Sequence, residues 1–183
     1  MADLVLVAAS SHAPMMASAR ESADPGMADR FFAAVGHLRE RVAQERVDTI
    51  VLLSNEHFTN FFLESFPQLC LGVGERNRGP AEGWLGIQQD WVAGDPDLAL
   101  PMANSLLANG VDVAFSHGLD MDHGIMTVFH ELDPQRRTRL VPLVQNCAVA
   151  PLVPLRRSWD LGLALRAAIE AAPVDRRVAL IAA

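Results

Sequence analysis

The sequence has no tyrosine and only two cysteines, Cys70 and Cys147, among its 183 residues. The missing tyrosines remove one common general acid. Two distant thiols exclude a disulfide framework and a zinc knuckle, and Cys147 reads as a buried structural thiol rather than a nucleophile. No apolar run approaches the roughly 18 residues that a membrane-spanning helix needs. Net charge is −7 with no basic block, which argues against a nucleic-acid partner. The start, Met1-Ala2-Asp3-Leu4, lacks the basic region and cleavage site of a signal peptide, so a cytoplasmic protein is expected. No Gly-x-Ser-x-Gly elbow surrounds Ser11 or Ser54, which weakens a serine-hydrolase reading.

What is present is an alternation of apolar runs and amphipathic segments, without internal repeats, over a length that suits one domain, residues 1–183. Residues 3–9 are short, apolar and continuous, the pattern of a buried strand. Ser10–Pro25 reads as a loop of the kind that lines active sites. Residues 27–46 carry Phe31, Phe32, Val35, Leu38 and Val42 at helical spacing, and Asp48–Leu53 forms a second strand. Strand, helix, strand implies a right-handed βαβ unit with parallel pairing. Residues 61–73 read as a bent strand broken at Pro67, and Gly74–Gly94 as loop. A helix follows from Asp95 or Pro96 to Ala108. Next come a strand at Val111–Ser116, a short helix at Ile125–Glu131, a strand at Arg139–Val144, a helix at Leu155–Ala171 and a strand from Arg177. The fold class is therefore α/β, a central mostly parallel sheet with helices on both faces. The last strand is of interior type; left unpartnered, it would be an adhesive edge favouring homo-oligomers.

Three histidines stand beside these runs: Ser11-His12-Ala13-Pro14, Asn55-Glu56-His57-Phe58 and Met121-Asp122-His123-Gly124. Ligands of open α/β sheets bind at the carboxyl ends of the strands, so residues distant in sequence converge there. Neutral imidazole is a common ligand for transition metals. Two histidines and a carboxylate leave positions open on iron(II), where an organic molecule and dioxygen can meet. His12 and His57 are the candidate ligands, and His123 the candidate acid/base. Asp122 could orient the His123 ring or cap the next helix. Glu56 is a poor ligand candidate, because neighbours in an extended segment point apart. His117 is a weaker candidate; His37 and His130 read as helix-face residues. Two other readings stay open at this point: a zinc hydrolase using the same two histidines, and a non-catalytic binding protein.

At these segments the chain resembles the class III extradiol ring-cleavage dioxygenases, the superfamily of the protocatechuate 4,5-dioxygenase β-subunit, and within it the 2,3-dihydroxyphenylpropionate 1,2-dioxygenases. Cys70-Leu71-Gly72-Val73-Gly74, Val141-Pro142-Leu143-Val144-Gln145-Asn146 and Leu161-Gly162-Leu163-Ala164-Leu165 extend the likeness from about residue 4 to the last residue. The resemblance implies a non-haem iron(II) cofactor on His12 and His57, with His123 assisting proton transfer. The implied partners are a catechol-type substrate and dioxygen, both of whose atoms enter the opened ring. It also implies a departure. In the family, the strand matching Val178–Ala183 leads to a second catalytic histidine, and a glutamate ligand follows. Both match positions past Ala183, so the domain is expected to be C-terminally truncated relative to the family, and to bind iron weakly.

Overall fold

The computed structural model describes residues 1–183. Its strands in chain order are Asp3–Ala9 (β1), Thr49–Asn55 (β2), Leu69–Gly72 (β3), Arg76–Gly79 (β4), Asp90–Ala93 (β5), Ala114–Ser116 (β6), Arg139–Gln145 (β7) and Arg177–Ala182 (β8). The helices are Met15–Ser18 (α1), Pro25–Gln44 (α2), Pro96–Ala108 (α3), His123–Leu132 (α4) and Leu155–Ala171 (α5). Six strands form one sheet in the order β1-β8-β2-β7-β3-β6, and β4 pairs with β5 as a separate hairpin.

The strands read as unbroken apolar runs because both faces of the sheet are covered. Successive side chains point to opposite faces. Val51, Val141, Leu143 and Val178 pack with Leu98, Met102 and Leu106 of α3 and Leu161, Leu165 and Ile169 of α5. Ile50, Leu52, Leu140, Val144 and Ile181 pack instead with Val42 of α2 and Val128 and Phe129 of α4. Each face thus has its own core. No helix is long and apolar enough to cross a membrane.

β1, β8, β2 and β7 are mutually parallel, whereas β3 runs antiparallel to β7 and β6 parallel to β3. Pro142 has no N–H to give a ladder. It lies one residue before Leu143, where the pairing with β3 ends, and Gly72 leaves room for its ring: a Cβ there would stand 2.6 Å from Pro142 Cγ.

The interior character read for the last strand holds: β8 lies between β1 and β2. Other expectations are corrected. The free edges are β1 and β6, and Val7 of β1 is 65% exposed. Residues 3–9 are accordingly only partly buried. Residues 61–68 make one isolated bridge, Phe62 to Ser65, in place of a strand. The stretch read as loop around 74–94 holds the β4–β5 hairpin, hidden because Arg-Asn-Arg-Gly carries no apolar alternation. Ser10–Pro25 contains α1 and a 3-10 turn at Arg20–Ser22. α2 begins at Pro25, two residues before its apolar stripe, because Asp24 caps it by accepting the Met27 N–H at 2.9 Å.

Candidate active site

His12 follows β1 and His57 follows β2, and the carboxyl end of β8 lies between those two strands. There the Ser10 N–H donates to Ala182 O at 2.9 Å and the Ala183 N–H to Leu53 O at 2.8 Å. His123 arrives differently from expectation. β6 runs against the parallel strands, so the chain returns through 117–122 and His123 is the first residue of α4, not a strand end. The three rings meet nonetheless. Ring centroids are 5.4 Å apart for His12 and His57, 6.2 Å for His12 and His123, and 4.3 Å for the stacked pair His57 and His123.

Two carboxylates grip two of the rings. Asp122 is only 3% exposed. Its Oδ1 caps α4 by accepting the Gly124 N–H at 2.8 Å, and its Oδ2 lies 3.0 Å from His57 Nδ1. A carboxylate only accepts, so His57 Nδ1 carries the hydrogen and Nε2 is left as a lone-pair donor. Of the two readings of Asp122, the helix cap is the one seen; the ring it orients is His57, not His123. The bond to Asp122 raises the pKa of His57 against the opposing effect of burial. Glu82, which sequence reading missed, holds His123. Its Oε1 lies 2.6 Å from His123 Nδ1 and accepts the His123 N–H at 3.1 Å. Its only signal in sequence is an acidic residue in the glycine-rich 74–94 stretch.

Glu56 is 2% exposed, and its oxygens are spent on the turn that follows β2. Its Oε1 accepts the N–H groups of Thr59 at 2.6 Å and Asn60 at 2.7 Å, and its Oε2 accepts from Asn60 Nδ2 at 3.2 Å. That grip closes the turn after β2, in which Phe58 adopts the left-handed φ of 60°, a conformation that costs roughly 1–3 kcal/mol outside glycine. Gly124 allows α4 to approach: a Cβ there would stand 2.8 Å from Ser54 Oγ and 3.0 Å from His57 Cε1.

His12 has its pKa lowered, first by burial and then by the neighbouring His57 and His123. It therefore stays neutral near pH 7, and its Nδ1 is buried with no hydrogen-bond partner. One neutral ring with an unpartnered nitrogen and a second with a free Nε2 fit a transition-metal cation. A tighter cluster, with donor atoms within 4.8 Å of one another, comprises His57, Asp122 and His123. Both Asp122 oxygens are already engaged, so the pair His12 and His57 retains the better lone pairs. His37 and His117 are exposed and outside the cluster; His130 lies further along α4. Burial pushes the Cys70 thiol up to about 12, which makes it inert. Cys147 is exposed, contrary to expectation, because it lies in the turn after β7.

The fold is of α/β class, a doubly covered, mostly parallel sheet with carboxylate-braced histidines at its carboxyl end that could hold a metal ion. Residues 6–183 match the family of the catalytic LigB subunit of aromatic ring-opening dioxygenase, and the chain belongs to that family. It is similar to the 2,3-dihydroxyphenylpropionate/2,3-dihydroxicinnamic acid 1,2-dioxygenase of Mycolicibacterium smegmatis, 32% identical over 93% of this chain and 52% of the relative. The enzyme of the same name from Rhodococcus sp is 31% identical over 97% of this chain and 54% of the relative. The chain spans about half the length of the curated relatives it matches. An uncharacterized protein of Escherichia coli K12 shares the fold with a TM-score of 0.53 at 17% identity, over 81% of this chain and 51% of that one.

Proposed function

We propose that the crevice of His12, His57 and His123 is an iron(II) site for extradiol opening of a catechol-type ring by dioxygen, with a 2,3-dihydroxyphenylpropionate-like substrate. The observation that carries this reading is the meeting of three imidazoles from separate segments, two of them fixed by carboxylates. Family membership supplies the reaction class.

His12 and His57 would hold the metal. When bound, iron(II) supplies open coordination positions at which substrate and dioxygen are brought together. Asp122 fixes the His57 ring and its tautomer, and raises its basicity as a ligand. His12 stays uncharged at neutral pH, so its lone pair needs no prior loss of a proton. His123, stacked on His57, exchanges a proton with a catechol hydroxyl. Neither nearby glutamate is free to complete the ligand set, since Glu56 closes a turn and Glu82 holds His123.

The test is anaerobic loading with iron(II), followed by 2,3-dihydroxyphenylpropionate and air. Yellow ring-fission product that disappears in His12→Ala and His57→Ala supports the proposal. Metal analysis that finds zinc, with turnover of ester probes and no yellow product, points to a hydrolase instead. Indifference of all binding to His12→Ala leaves a non-catalytic relative. Two unpaired thiols, Cys70 and Cys147, suit a reducing cytoplasm. The exposed β1 edge is where homo-oligomers would form.

A further inference from the structure

We propose that Glu82 is a positioning residue for His123, holding its ring with hydrogen on Nδ1 so that Nε2 is the proton acceptor. This inference rests on the reading of His123 as the acid/base of the crevice.

The grip has two points. One oxygen of Glu82 accepts from both the backbone N–H and the ring Nδ1 of the same residue, at 3.1 and 2.6 Å. The ring can then turn only by giving up that bond. A neutral histidine otherwise exchanges between two tautomers, and an acceptor-only partner at Nδ1 selects one. Glu82 is itself rigidly placed. The Ala81 N–H donates to Met121 O at 2.8 Å, and Gln89 Nε2 donates to Pro80 O at 3.0 Å. Leu85, at the end of the 3-10 turn after Glu82, is fully buried. The second Glu82 oxygen is buried with no partner. A carboxyl oxygen left unbonded inside the protein is a cost that a purely structural contact would be expected to avoid. The Trp84 ring lies close to His123, 6.5 Å between centroids. The crevice thus contains two carboxylate–imidazole pairs side by side: Asp122 with His57, and Glu82 with His123.

The tautomer is read directly from ring nitrogen chemical shifts of the 15N-labelled, metal-free chain at fixed alkaline pH. In the unmodified chain, His123 Nδ1 should fall in the protonated range and Nε2 in the unprotonated range. Glu82→Gln should keep that pattern, since an amide oxygen still accepts; Glu82→Leu should lose it. With iron bound, Glu82→Leu should lower kcat roughly 10- to 100-fold and leave KM within about twofold, with Glu82→Gln restoring most of the rate. Hydrogen on Nε2 in the unmodified chain overturns the proposal with no variant needed. An unchanged His123 tautomer in a folded Glu82→Leu overturns it as well. Absence of turnover in the unmodified chain with iron(II) shown to be bound, while the tautomer responds to Glu82→Leu, overturns the ring-opening reading and upholds the role of Glu82.

Discussion

Asp122 Oδ2 lies 3.0 Å from His57 Nδ1, while the other oxygen of the same carboxylate caps the helix that opens with His123. One buried side chain therefore sets both the direction of a candidate ligand and the start of the element bearing the candidate acid/base. Asp122→Asn should weaken metal binding roughly 10- to 100-fold. It should also cost about 1–2 kcal/mol of stability. Calorimetric titration with iron(II) and urea unfolding measure the two effects separately. Unaltered affinity would mean that the Asp122–His57 contact has no part in ligation.

Gly124 marks the closest approach of α4 to the end of β2. Gly124→Ala should destabilise the chain by about 1–3 kcal/mol, as overpacking does, because the new methyl meets Ser54 Oγ and His57 Cε1 at 2.8 and 3.0 Å. Part of that loss should return in the double variant with Ser54→Ala, which removes the nearer atom. Urea midpoints of the single and double variants supply the comparison.

Glu56 offers a sharp distinction between holding a turn and binding a metal. Glu56→Ala strands the N–H groups of Thr59 and Asn60. Stability should fall by about 2–3 kcal/mol, the scale of hydrogen bonds to a charged group. Were Glu56 a ligand, affinity would fall while the urea midpoint held.

In the metal-free chain, His12 and His57 together should favour the folded state most near pH 6.5. His57 has a raised pKa in the folded state. Its contribution is fully present below the ordinary value of about 6.5 and is lost as pH rises through the folded value. His12 has a lowered pKa. Its contribution is present above about 6.5 and is lost as pH falls toward its folded value. Urea midpoints measured against pH in the presence of a chelator should give a dome. His57→Gln should flatten its alkaline side and His12→Gln its acid side.

The parallel strands were legible because burial on both faces leaves an apolar run, as in Thr49–Asn55 and Arg139–Gln145. The convergence of His12 and His57 followed from the rule that parallel strand ends share one crevice. What escaped were relations made by polar groups across long separations. Nothing local tells that Asp122 turns to His57 and not to its neighbour His123, or that Glu82 crosses 41 residues to reach that ring. The β4–β5 hairpin escaped for a related reason. It is held by backbone pairing and by Arg76 over the Trp91 ring at 4.4 Å, not by an apolar stripe. The reversal of β6 could not be read from a three-residue strand, yet it decides why His117 ends up outside the cluster.

β1 touches the rest of the sheet only through β8. The two come from opposite ends of the sequence, so their pairing is among the contacts with the largest loop to close, and such contacts form slowly. A partly folded chain with β2, β7 and α4 in place would already have His57 and His123 stacked, with His12 still adrift. Assembly of the trio thus waits on a single docking event, and iron added during refolding should report that event by the moment at which it is captured.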